Sequence, residues 1–323
     1  MNSIISQISA FASAPFFGTI TFGITSLVLV SLTWVLVGII AGKAPKLGYT
    51  MEAVYLPGSI ISMIFAAAIF MFTGVGKCEF APLFWTAAAF FVNGAICFTK
   101  GLIISRVMQY GPNGIIWAIM QSAMIFPFIF GVAFYNVKLT IIRVIGMVLM
   151  LFALGLFAVA KNNKSDKNSS SGSWQLWTFL TMVLGGVDQI AASLPFYYPQ
   201  PKEISPLYNI FWIMAGYFAI GLIIVCLKKD VRENLKCSVS KLSFWVLCLA
   251  LLPLAGVFAI LFQFPGMRAM ADNNLGAMTF PILVGSCVVL FTLYSAVILR
   301  EKLKTADFIA LFICVTGQIL LCI

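Results

Sequence analysis

Residues Trp174–Phe196 read WQLWTFLTMVLGGVDQIAASLPF. A helix crossing the hydrocarbon core of a bilayer needs about 20 predominantly apolar residues, and this stretch supplies them. Its one charge is Asp188, followed by Gln189 and preceded by Gly185-Gly186. A charge in the bilayer core is costly, so where it persists it marks an ion or substrate path more often than architecture. Few other charges reach such depth, and Lys100 within Phe84–Arg106 is the clearest.

The surrounding chain has the same character. Of its 323 residues 62% are hydrophobic and only 9% charged, with a mean hydropathy of +1.05. A soluble domain carries about 25% charged residues. The apolar excess runs along the whole chain, which points to an integral membrane protein rather than a soluble domain with one anchor. The net charge of +10 does not argue for nucleic acid. Nucleic-acid binding needs basic residues gathered on a soluble face, and here they sit in short connections between apolar stretches. His is absent and the eight Cys form no C-x-x-C, which argues against a structural zinc site; no cofactor or metal is expected. Six of the Cys lie in or beside apolar stretches and read as small hydrophobes. The first sixteen residues lack Lys and Arg, so no cleaved leader is expected.

Ten spans follow, at about 18–41, 52–74, 82–106, 113–135, 139–160, 174–196, 206–227, 242–265, 275–299 and 304–322. Strand-like alternation is absent, which argues against a membrane barrel. Connections 1–2, 3–4, 5–6, 7–8 and 9–10 hold fourteen Lys and Arg, from Lys43 and Lys46 to Lys304. The other side holds five: Lys77, Lys138, Arg143, Lys202 and Arg268. Lys/Arg-rich connections stay cytoplasmic, so both termini are expected outside. KNNKSDKNSSSGS at Lys161–Ser173 has the composition of a flexible linker. It divides the chain into 1–160, a polar linker 161–173, and 174–323, each half with five spans.

The halves are alike at a shift of 162 residues. Gly94 meets Gly256, Arg106 meets Arg268, Gly114 meets Gly276, Lys138 meets Arg300 and Gly155 meets Gly317. The match is weak outside spans 3–5 and 8–10. Five spans is an odd number, so the second half enters the membrane inverted, as in many secondary transporters that bind substrate at the midplane between halves.

Leu299-Arg300-Glu301-Lys302-Leu303 before a short last span, together with ten spans in a 5+5 arrangement, resembles the drug/metabolite transporter superfamily. A Gly-Glu is frequent in that family at this point; Arg300 replaces the Gly here, and Asn136-Val137-Lys138-Leu139 of the first half lacks the acid. Tyr49-Thr50-Met51-Glu52 after a Lys-bearing first connection, and the run from Asn93-Gly94 through Gly101-Leu102 to Arg106, resemble the sugar-uptake branch that contains the L-rhamnose–proton symporter. The resemblance implies an all-α membrane fold of ten transmembrane helices in two inverted five-helix repeats. It places helices 5 and 10 at the periphery. It implies proton-coupled symport of a sugar or related metabolite across a bacterial inner membrane, by a monomer or homodimer.

The residues themselves set the expected site. Asp188 reads as a switchable proton or cation site, against a static ion pair or a hydrated residue. Lys100 pairs with Asp188, holds an anionic substrate group, or snorkels to the interface. Asn93, Gln121, Gln189 and Gln263 supply polar groups within spans, and Trp34 and Trp117 supply aromatic surface; sugars and nucleosides take both. Gly185-Gly186 allows close packing or local unwinding. Arg106 and Arg268 read as interfacial anchors, with a substrate gate as the alternative, and Glu52, Glu79, Glu203 and Asp307 as helix-start caps. No G-x-x-x-x-G-K-[ST] loop occurs, so ATP is not the direct driver. The rivals are an exporter of amino acids or other small metabolites, a membrane enzyme lacking its paired acids, and a non-transporting receptor or scaffold.

Overall fold

The computed structural model describes residues 18–73, 80–110, 113–134, 137–162, 173–196, 204–298 and 305–323. Most of the polar linker, the segment Leu299–Leu303 except as sequence, and Lys77, Glu79, Asn136, Lys202 and Glu203 lie outside these residues. The described residues form helices α1 (Ile20–Lys43), α2 (Met51–Thr73), α3 (Phe80–Tyr110), α4 (Asn113–Gln121), α5 (Ile125–Phe134), α6 (Ile141–Asn162) and α7 (Ser173–Ser193). Then come α8 (Pro206–Leu227), α9 (Lys229–Ser238), α10 (Leu242–Phe258), α11 (Phe264–Asp272), α12 (Thr279–Val297) and α13 (Thr305–Cys322). Among the described residues there is no strand.

Among the described residues nine helical stretches are long and apolar enough to cross a membrane, and a shorter apolar stretch, Ile141–Leu156, lies in α6. Helix is the only form that satisfies every backbone N–H and C=O within one segment in lipid, so runs of this length become helices. Two run past the lengths read from hydropathy. The third, Phe80–Tyr110, continues beyond Arg106, and Leu242–Asp272 continues through Pro265. Both reach 31 residues. The Lys/Arg-bearing 7–8 connection holds α9, whose buried face is Val231 and Ser238.

Helix crossings are set by small residues. Gly94 of α3 lies against the Ile213 carbonyl of α8, and Gly216 of α8 lies against the Phe91 carbonyl of α3. The helix backbones therefore touch, as small residues allow in membrane helices. Gly146 of α6 and Gly317 of α13 approach each other's carbonyl oxygens in the same reciprocal way. Gly186 packs against the Phe126 ring, and α7 stays continuous through the Gly pair. Close packing, not unwinding, accounts for Gly185-Gly186.

Two clasps orient the ends. Asn234 of α9 donates from Nδ2 to the Gly48 carbonyl at 2.8 Å and accepts at Oδ1 from the Thr50 N–H at 3.1 Å. At the other end, Asn273 donates to the Gly18 carbonyl at 3.0 Å. The 1–2 and 7–8 connections thus share one face, and the start of α1 shares the opposite face with the end of α11.

Candidate functional site

A stripe of Asn93, Cys97 and Lys100 runs down one side of α3, because positions four and three apart sit on one helical face. It meets a stripe of Gly185, Asp188, Gln189 and Ala192 on α7. Between them Lys100 Nζ forms an ion pair with Asp188 Oδ2. Asn93 Nδ2 donates to Asp188 Oδ1 at 2.5 Å and to the Asp188 backbone carbonyl at 2.9 Å. The Cys97 thiol donates to the same Oδ1 at 3.0 Å. Asp188 and Asn93 are buried, while the Lys100 side chain keeps 18% of its surface. A charge taken out of water is tolerated when paired and hydrogen-bonded, and every oxygen of this carboxylate has a donor.

The pair sits in the wall of a cavity of about 210 Å³. Trp34, Asn93, Lys100, Trp117, Gln121, Asp188, Gln189 and Gln263, the eight residues singled out in the sequence, all line it. Tyr55, Cys97 and Tyr217 line it as well. The two tyrosines pack edge-on at 5.4 Å. Tyr217 stands out in the sequence as aromatic surface within a span, whereas Tyr55 does not, because nothing in the sequence gives an aromatic residue a direction. Helices α6 and α13 contribute none of the lining residues.

The lining takes residues at matching spacings from two pairs of helices. From α1 it takes residues 34, 37, 38 and 41, and from α7 residues 185, 188, 189 and 192, each 151 positions later. From α3 it takes 90, 93, 97 and 101, and from the eighth span 252, 255, 259 and 263, each 162 positions later. Trp117 and Phe280 stand 163 apart. The shift is 151 in one pair of helices and 162 in another, so no single sequence offset could reveal the match. The charges do not repeat: the counterparts of Asp188 and Lys100 are Val37 and Phe262.

The neutral polar groups differ from the charged ones in being underused. The Trp117 indole N–H and Gln189 Oε1 are buried with no hydrogen-bond partner among the described residues. Gln121 Nε2 reaches only the Cys287 sulfur, at 3.7 Å, and Gln263 Nε2 only the Met267 sulfur, at 4.0 Å. A buried polar group without a partner is destabilising by about 1–3 kcal/mol, so each of these calls for a partner that a ligand or a water can supply. Gln263 ends a π-helical turn, Ala259–Gln263, between α10 and α11. Such turns widen a helix locally and recur at functional sites. Across the cavity, α4 gives way to a 3-10 turn, Ser122–Met124, directly after Gln121.

Two expectations change outside the cavity. Glu52, expected to cap a helix start, and Arg106, expected to anchor a span end, are bonded to each other, Nη2 to Oε1 at 2.7 Å. Glu52 does lie in the first turn of α2, but it is buried there and paired. Arg268 is exposed. Asp307 is buried within the first turn of α13. Among the described residues no group of three or more His, Cys, Asp and Glu is placed to hold a metal ion.

An all-helical chain with this many long apolar helices fits a multi-pass integral membrane protein, and the site is a cavity among those helices. No protein-family model matches the chain, and no curated protein matches it. Among solved structures 26 chains match. One, described as "Crystal structure of protein", superposes with a TM-score of 0.61 at 14% identity, covering 92% of this chain and 96% of the other. At that identity the likeness is one of fold alone.

Proposed function

We infer that the chain is a secondary active transporter of a small polar metabolite, driven by proton coupling through Asp188 and taking up a sugar or related hydroxylated compound. One observation carries this reading: a cavity at span depth, lined from both halves of the chain, with one carboxylate–ammonium pair in its wall. An intramembrane acid paired with its partner is a functional site by default. The volume supports a small cargo, since clefts for drug-sized ligands run to about 300–1,000 Å³. Hydrogen-bond accounting supports a neutral one. The carboxylate is fully engaged, whereas Trp117, Gln189, Gln121 and Gln263 retain unused or weakly used groups suited to hydroxyls.

The finer architecture belongs to the same reading: ten transmembrane helices in two inverted five-helix repeats, as in the drug/metabolite transporter superfamily. The duplicated lining supports it. So do the helix starts, for Leu242, Gly276 (the start of a 3-10 turn, Gly276–Met278, that leads into α12) and Thr305 follow Phe80, Asn113 and Ile141 by 162, 163 and 164 residues. An inverted repeat of five spans brings α6 and α13 together antiparallel, and the reciprocal Gly146–Gly317 approach fits that. Bacterial inner-membrane placement with both termini outside goes with this reading.

The test is uptake into proteoliposomes under an imposed pH gradient, with the cargo class first found by thermal stabilisation of the purified protein against sugars, nucleosides and amino acids. Asp188→Asn keeps size and hydrogen bonding and removes the titrating group. Gradient-driven accumulation is expected to fall to background while counterflow exchange persists, because exchange runs with a permanently neutral site. Accumulation at the unsubstituted level would remove coupling from Asp188. Stabilisation by amino acids alone would favour the exporter, and by no compound the scaffold.

A further inference from the structure

We propose that Glu52 and Arg106 are the gate of the cavity on its Lys/Arg-rich face, their ion pair forming as that face closes and parting as it opens. This rests on the transporter reading, but on side chains outside the cavity. An acid in the first turn of a helix is favoured by the helix dipole and needs no partner. Glu52 nevertheless keeps only 7% of its side-chain surface, while the Arg106 side chain that reaches it keeps 57%. A buried carboxylate is thus covered by an exposed, movable cation.

Position along the helices places this cover at the end of the cavity. Tyr55 follows Glu52 by one turn of α2, lines the cavity and lies against Gly101 of α3. Ile104 lines the cavity from α3 two residues before Arg106. Glu52 and Arg106 therefore lie just outside the layer formed by Tyr55 and Ile104. They stand among other bonds that tie separate spans at this face. The Tyr49 and Ser243 hydroxyls join α10 to the approach to α2 at 2.6 Å, and Asn234 clasps Gly48 and Thr50. In the proposed gate the cavity is exposed to this face as α2 parts from α3 here, and Glu52–Arg106 is a charged contact between them.

The experiment is thiol labelling, which needs no substrate, so its failure leaves the uptake assay of Asp188 standing and unaffected. Ile104→Cys is reconstituted in sealed liposomes and treated with a membrane-impermeant maleimide, and each cysteine is followed by peptide mass spectrometry. Cys237, exposed on α9 at the same face, reports the molecules whose Lys/Arg-rich face met the reagent. Relative to Cys237, the introduced thiol is expected to label slowly. Glu52→Gln or Arg106→Gln should raise that ratio several-fold, and the exchanged pair Glu52→Arg with Arg106→Glu should lower it again. An unchanged ratio in both single variants, or no return in the exchanged pair, overturns the gate. Where a single variant fails to fold, Glu52→Asp takes its place. It keeps the charge in the first turn of α2 but shortens the reach to Arg106, so the ratio must rise, and an unchanged ratio overturns the proposal equally.

Discussion

At the scale of single residues, Asp188 and its partners divide the labour with the neutral groups across the cavity. Removing one member of a buried ion pair costs about 3–5 kcal/mol when the other stays charged. Lys100→Met leaves Asp188 with Asn93 and Cys97 but no cation. The pH profile of uptake should therefore change, read in the same proteoliposomes; an unmoved profile would mean that Lys100 does not act on Asp188. Trp117→Phe preserves the stack on Phe291, at 5.7 Å, and deletes the idle N–H. Loss of one neutral hydrogen bond is worth about 0.5–1.5 kcal/mol, so cargo affinity should drop roughly 3- to 10-fold. Titration calorimetry that shows equal affinity would take Trp117 out of the contact set. Gly94→Ala places a methyl on the Ile213 carbonyl, where neither backbone can yield without shifting. Overpacking of this kind costs about 1–3 kcal/mol, and a lowered melting temperature is expected.

At the scale of elements, the π-helical turn at Ala259–Gln263 sets where Gln263 and Phe264 point. Such a turn accommodates one residue beyond the α-helical count. Deleting Leu261, which is 55% exposed, should restore regular α-helix and rotate Gln263 out of the lining. The protein is expected to fold and to lose thermal stabilisation by its cargo; stabilisation that survives would show the turn to be incidental. Helix α9 shows the converse limit of sequence reading. Its charges resemble a solvated loop, yet Val231 and Ser238 recur on one face and bury it, while Asn234 fastens the connection between α1 and α2.

For the whole molecule the prediction concerns sidedness. Fourteen Lys and Arg fall on one side and five on the other by the sequence, and the Asn234 and Asn273 clasps bind the ends of the helices in the same two groups. A reporter that works only in the cytoplasm should be silent when fused after Ile323 and active when inserted in 228–241. The reverse pattern would invert the protein in the membrane.

Hydropathy alone determined that the chain is helical and apolar enough to cross a membrane many times, because lipid permits no other use of such runs. It also picked out eight of the polar and aromatic residues of the lining, since polar groups stand out where almost nothing else is polar. What it left open was direction and pairing. Lys100 was equally able to snorkel, to bind an anion or to meet Asp188. Arg106 and Glu52 looked like separate end features because they are 54 residues apart in the chain. The shift of 162 residues read from the sequence matches lining positions of α3 with those of the eighth span, while the α1 and α7 positions stand 151 apart and fall outside that offset. Only the packing of α3 against α7 and α8, set by Gly94 and Gly216 at touching backbones, decided which side chains meet. Such contacts depend on helix rotation and crossing, which a pattern of apolar residues on all sides of a membrane helix does not encode.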